Sequence, residues 1–251
     1  MTTLGWVRQF HRPADPAAPP LVLCPHAGTG ASSYRAYSAE FSRHFDVVAL
    51  QYPGRQDRMK EPAAGSIEEL GAGAFEEFAR SEHHTGAPIT VFGHSMGGIV
   101  AFEFARAAEA AGATVRLLAV SAVPAPSRIA EHPRHPRDDD AILDRLIALG
   151  GTDPKIAANR DLLRMALPVL KADYTAIDAY RCAPDVRLAA PIHAFGGDDD
   201  PIVFAGDLHG WREHTAADLE VSLLPGGHFY LESRLGELGD ALAAPPVAVP
   251  R

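Results

Sequence analysis

The chain has only two cysteines in 251 residues, Cys24 and Cys182. Far apart in sequence, they build neither a disulfide framework nor the paired spacing of a metal site. Long hydrophobic runs are missing too. No stretch of roughly 18 apolar residues occurs, so no membrane span is expected. Positive charge is in deficit: 23 Lys and Arg against 32 Asp and Glu give a net charge of −9. That balance argues against a nucleic-acid binder. Residues Met1 to Trp6 lack the charged-then-apolar pattern of a secretion signal, so a cytoplasmic protein is expected. No internal repeat is visible. What is present is 47% hydrophobic residues, enough for one large α/β domain with an insertion.

The most informative stretch is Gly93-His94-Ser95-Met96-Gly97-Gly98. Before it, Ile89-Thr90-Val91-Phe92 reads as a buried strand. After it, residues 99–111 favour a helix that Gly112 stops. Strand, sharp turn and helix with serine at the turn form a nucleophile elbow. Flanking glycines leave room for the strained serine and for close strand–helix packing. The turn also puts the Met96 amide at a helix N-terminus, where it can face an oxyanion.

Elsewhere, strands and helices alternate. Leu21–Cys24, Phe45–Leu50, Val115–Ser121, Pro191–Phe195 and Leu219–Leu224 read as strands. Helices are expected at about 33–44, 66–80, 206–214 and a closing stretch to about 243, the second opened by a capping box at Ser66. Alternation implies a mostly parallel sheet covered by helices on both faces. After Leu21–Cys24, the loop Pro25-His26-Ala27-Gly28-Thr29-Gly30 lacks the Gly-Lys-Ser/Thr ending of a phosphate loop. A nucleotide site is therefore rejected, and no cofactor or metal is expected. The alternation breaks from 124 to 190, where helices are expected at 140–149 and 162–180, the latter interrupted by Pro168. The organisation expected is an α/β-hydrolase core, 1–123 and 191–251, with a helical lid insertion, 124–190.

A serine hydroxyl needs a base to attack a carbonyl. In this architecture the order is serine, then an acid, then histidine, each after a strand. Ser95, the aspartates 198–200 and His228 occur in that order. Three consecutive aspartates leave the acid open, with Asp200 favoured over Asp199. The strand after the elbow ends Ser121-Ala122-Val123-Pro124, so it offers no rival acid. Ala27 is the expected second oxyanion donor, and His26 beside it is read as a pocket-wall or structural residue.

Several segments together resemble one family. They are Pro25-His26-Ala27-Gly28, Tyr52-Pro53-Gly54-Arg55 with Arg58, the Ser95 elbow, Leu167–Tyr174, Gly196–Pro201 and Gly226-Gly227-His228-Phe229. The chain is similar over about 20–235 to type II thioesterases of polyketide and nonribosomal peptide assembly lines. Two positions depart from the family pattern: His26 replaces a frequent aromatic and Thr29 a usual glycine. The resemblance implies hydrolysis of acyl or peptidyl thioesters on the phosphopantetheine arm of a carrier protein, and it supports Asp200, before Pro201, as the acid. Competing readings are an esterase or lipase of free esters or acyl-CoA, and a silent hydrolase-fold binding protein. Arg55, Arg58 and Lys60 are expected either to meet the arm's phosphate or an acidic carrier face, or to be solvated.

Overall fold

A computed structural model describes residues 5–150 and 159–244. Seven strands form one sheet: β1 (Val7–Arg8), β2 (Pro20–Cys24), β3 (Asp46–Leu50), β4 (Ile89–His94), β5 (Val115–Ser121), β6 (Ile192–Gly197) and β7 (Leu219–Leu224). Their order is β1-β3-β2-β4-β5-β6-β7, with β1 antiparallel to β3 and all other pairs parallel. Eight α-helices are described: α1 (Arg35–Phe41), α2 (Ile67–Ala79), α3 (Met96–Ala110), α4 (Asp139–Leu149), α5 (Arg160–Arg164), α6 (Leu167–Ala179), α7 (Ala205–His209) and α8 (Leu235–Ala243). Among the described residues, no helix is long and apolar enough to cross a membrane.

Alternate residues of each strand enter opposite cores. In β2, Val22 and Cys24 join Val91, Val120 and the buried faces of α2 and α3. Leu21 and Leu23 join Phe41, Phe92 and Leu238 on the side of α1 and α8. A parallel sheet is buried on both faces, so its strands read as nearly continuous apolar runs rather than alternating ones. A third, small core of Ile142, Leu143, Leu163, Leu167, Leu170 and Tyr174 lies within the segment between β5 and β6, with Ala27 packed against it.

The chain runs from β2 outward to β3 and then returns to β4 on the other side of β2. The strand order therefore reverses between β2 and β4, and a crevice opens beyond the carboxyl ends of strands at such a point. Cys24 pairs with Gly93, and His94 with Ser121, across the three strand ends that border it.

The differences from the sequence reading are local. Strand β1 has two residues, too few to show periodicity. Strand β4 runs two residues past Phe92, and α3 starts at Met96 rather than at 99. The expected helix 33–44 divides into a 3-10 turn at Ala31–Tyr34 and α1. The 206–214 helix becomes α7 and a 3-10 turn, Gly210–His214. The expected 162–180 helix breaks at residues 165–166 into α5 and α6, just ahead of Pro168. Pro168 sits in the first turn of α6, where its missing N–H costs nothing and its fixed φ suits helix initiation.

Candidate active site

The turn after β4 has the strain the elbow requires. Ser95 holds φ 53 and ψ −128, a region that non-glycine residues occupy only when the surroundings enforce it. Its N–H donates to the Ser121 carbonyl at 2.8 Å, and its own carbonyl accepts from Gly98 N–H at 2.8 Å. A Cβ on Gly93 would lie 2.0 Å from the Gly97 carbonyl oxygen, and one on Gly97 would lie 2.1 Å from that of Cys24. Backbone cannot yield that far, so both positions exclude side chains. From Ile89 to Ala105, Ser95 alone is not buried. It lines a cavity of about 1110 Å³ together with Ala27, Met96 and His228.

His228 follows β7, and Asp200 follows β6. His228 Nδ1 donates to Asp200 Oδ2 at 2.8 Å. The other carboxylate oxygen accepts from the N–H groups of Ile202 (2.9 Å) and Val203 (3.2 Å). Asp200 and His228 are each 4% exposed. The two neighbouring aspartates are exposed, and Asp198 instead accepts from Gly226 N–H at 2.8 Å. Of the three, Asp200 is the one joined to His228.

Met96 opens α3, so its amide is among those without an intrahelical acceptor. Ala27 lies in a turn from His26 to Thr29, closed by Thr29 N–H and Thr29 Oγ1 onto the His26 carbonyl, at 3.3 and 2.9 Å. Gly28 has φ +76 at the third position of this turn, the conformation for which a type II turn selects glycine. The hydroxyl of Thr29 thus reinforces the turn at a position where the family pattern has glycine.

Two further histidines pack close to His228. His94 is fully buried, its ring centroid 5.1 Å from that of His228 and 5.7 Å from that of His26. Its Nδ1 meets Ser121 Oγ at 3.0 Å, and that hydroxyl meets the Tyr230 hydroxyl at 2.8 Å. His26 Nδ1 meets the Tyr34 hydroxyl at 2.9 Å. Burial, helped by the charge of His228, pushes His26 down to about 3 and His94 well below the ordinary range. Both rings are neutral at physiological pH, which spares His228 a cationic neighbour. Nothing in the sequence signals the His94 contact beyond its place in the elbow.

The segment between β5 and β6 supplies much of the cavity wall, through Leu146, Leu163, Leu170, Tyr174 and Ile177. His135 stacks on Tyr174 with ring centroids 4.2 Å apart and pairs with Asp178 at 2.7 Å.

Arg55 and Arg58 correct an expectation. Neither is solvated and neither faces outward for a phosphate: they are 4% and 6% exposed. Arg55 makes a two-pronged ion pair with Asp173 on α6, at 2.8 and 3.0 Å. Arg58 pairs with Glu61, donates to the Gln51 carbonyl at 2.7 Å, and stacks over Trp6. Lys60 is exposed. Asp173 also accepts from Gly28 N–H at 2.8 Å. Burial pushes its carboxyl up, against the pull of Arg55 and that N–H. Both the Pro-Gly-Arg and the Asp-Tyr segments stand out in the sequence, but nothing in one dimension says that they touch.

The model of the thioesterase domain matches residues 19–244. Phenyloxazoline synthase MbtB of Mycobacterium tuberculosis is 41% identical over 240 residues, which cover 95% of this chain but 17% of the synthase. The chain thus spans about a sixth of that relative's length. Thioesterase TesA of Mycobacterium marinum is 39% identical over 221 residues, 88% of either chain. Among solved structures, the type II thioesterase BorB from the borrelidin biosynthetic cluster superposes with a TM-score of 0.81 at 40% identity, covering 94% of this chain and 97% of BorB. The fold is the α/β-hydrolase fold that these type II thioesterases share, and with its family model matched from residue 19 to 244 the chain belongs to the thioesterase domain family.

Proposed function

We propose that this protein is an editing thioesterase that hydrolyses acyl or peptidyl thioesters from the phosphopantetheine arm of carrier proteins. The observation that carries this is the meeting of a strained, accessible Ser95 and the buried His228–Asp200 pair at one large cavity. In the proposed reaction Ser95 Oγ attacks the thioester carbonyl carbon while His228 takes its proton. Asp200 fixes the imidazole tautomer and stabilises the imidazolium. The amides of Met96 and Ala27 hold the oxyanion. Collapse expels the arm's thiolate, which receives the proton from His228 and leaves an acyl ester on Ser95. Water, deprotonated by His228, then attacks that ester, and the free acid and Ser95 hydroxyl are regenerated.

The segment 124–190 is the lid of this reading. Its small core and its share of the cavity wall support that role, since helices over a crevice gate entry and exclude water. The carrier protein is the partner and the cytoplasm the compartment. No cofactor enters any step.

The deciding experiment is hydrolysis of an acyl-carrier-protein thioester by wild type and Ser95→Ala. A triad knockout lowers turnover on the order of 10⁴-fold or more, with the fold intact because one exposed hydroxyl is lost. Turnover by Ser95→Ala near the wild-type rate overturns the serine mechanism. A fluorophosphonate that fails to label Ser95 would favour a silent binding protein. Equal kcat/KM on carrier-bound and N-acetylcysteamine thioesters would favour a hydrolase of free esters or acyl-CoA.

A further inference from the structure

The loop that carries Ala27 is fastened to the insertion. Asp173, in the middle of α6, takes the Gly28 N–H at 2.8 Å, next in the chain to the proposed oxyanion donor. Arg55 completes the junction from the loop after β3. Its Nη1 donates to both the Thr29 carbonyl and Asp173 Oδ2, each at 3.0 Å, and its Nη2 donates to Asp173 Oδ1 at 2.8 Å. The turn is therefore held at two of its peptide groups, 27–28 and 29–30, by one buried ion pair. Leu170, one helical turn before Asp173, covers the same place: a Cβ on Gly28 would come 2.5 Å from Leu170 Cδ2.

Stability alone is a poor account of this arrangement. A buried ion pair contributes little over well-packed apolar residues, because desolvation offsets its Coulombic gain. What it provides is direction. Two prongs of a planar guanidinium fix a carboxylate in orientation as well as position. That carboxylate in turn fixes the plane of the peptide between Ala27 and Gly28. A turn anchored there leaves the neighbouring Ala27 N–H little freedom.

We propose that Asp173 is a positioning residue for the oxyanion hole, acting through Gly28 and held in place by Arg55. This rests on the reading of Ala27 as a donor. It assigns α6 a fixed place during turnover. The far end of α6 is also tied down, with the Tyr180 hydroxyl donating to the buried Glu103 at 2.6 Å. Undocking α6 to admit substrate would release the Ala27 loop, so opening belongs to α4 and α5.

The test uses Asp173→Asn, Asp173→Glu and the double variant Arg55→Gln/Asp173→Asn. Each is assayed with an acyl N-acetylcysteamine thioester and with an alkylboronic acid, whose serine adduct is a tetrahedral anion. Wild type must bind the boronic acid and Ser95→Ala must lose it; failure here defeats the site reading rather than the positioning role. Given that, each Asp173 variant loosens or displaces the acceptor that Arg55 aims at Gly28 N–H, and kcat is expected to fall on the order of 10- to 100-fold, below the roughly 10²- to 10³-fold loss for a donor removed outright. KM stays within about twofold, since ground-state binding is unchanged. Boronic acid affinity falls in step with kcat. Asp173→Glu keeps a counter-charge for Arg55, so a merely structural ion pair would leave its kcat intact. The double variant removes both buried charges, so it spares the fold the cost of an unpaired Arg55. A folded variant of the three, judged by near-ultraviolet circular dichroism, with kcat and boronic acid affinity within about twofold of wild type overturns the proposal. Misfolding of all three overturns it too, by making the pair structural.

Discussion

Asp200 reaches His228 with one carboxylate oxygen and two backbone amides, those of Ile202 and Val203, with the other. The carboxylate is thus held at both oxygens, as the proposed orienting acid requires. Asp200→Asn is expected to lower kcat by about 10⁴-fold, as the amide analogue presents the wrong partner to Nδ1. Asp199→Asn is expected to be silent, since Asp199 is exposed. Asp198→Asn keeps an acceptor for Gly226 N–H and should cost little. Steady-state kinetics of the three variants side by side checks this, and a severe Asp199→Asn would move the acid by one residue.

Stability should fall on acidification from a neutral starting point. Burial holds His26 at about 3 and His193 at about 4, against an ordinary 6.5, and His94 well below 6.5. The unfolded chain takes up these protons below pH 6.5, and the folded chain only near the depressed values. Their contribution is therefore complete above pH 6.5 and lost as pH falls towards 3 to 4. Each such histidine adds a slope of about 1.4 kcal/mol per pH unit inside that window. Urea unfolding at a series of pH values measures it. A flat profile from pH 6.5 to 4.5 contradicts burial of neutral rings.

Arg58→Ala is expected to damage the fold rather than carrier recognition. It removes the Glu61 pair, the bond to the Gln51 carbonyl and the stacking on Trp6. The buried charged hydrogen bond to Gln51 and the cation–π contact are worth about 2–4 kcal/mol together. Thermal denaturation should show a clear drop in Tm. The ratio of kcat/KM on carrier-bound and N-acetylcysteamine thioesters should stay at its wild-type value. A fall in that ratio with Tm unchanged would return Arg58 to the carrier interface.

Between β5 and β6, hydrogen exchange should be uneven. Helix α6 is tied by Asp173, Tyr180 and the buried Leu170. Helices α4 and α5 share the small core through Ile142, Leu143 and Leu163, but the pairs that join them, among them Arg160 and Arg164 with Asp140, are exposed, and such pairs contribute little. Amides of α6 should exchange on the timescale of the sheet, and those of α4 and α5 far sooner, because local opening follows the density of buried contacts. Equal protection across the three helices would mean that they open as one piece.

The central strands, the elbow and the helix after it were legible because each is a local pattern. Apolar runs such as Leu21–Cys24 and Val115–Ser121 mark strands buried on both faces, and Gly93 and Gly97 mark a turn where side chains have no room. The order of Ser95, the aspartates and His228 could be read because each follows a strand. What the sequence left open required contacts across the fold. Three adjacent aspartates are chemically equal in sequence, and only the approach of the loops after β6 and β7 joins Asp200 to His228. Arg55 carries the same charge whether solvated or buried; its fate depends on Asp173, 118 residues away in the chain. Local patterns report the company a residue keeps within a few positions. Ion pairs, buried imidazoles and loop clamps depend on the company that the sheet brings from afar, so tertiary structure decided them.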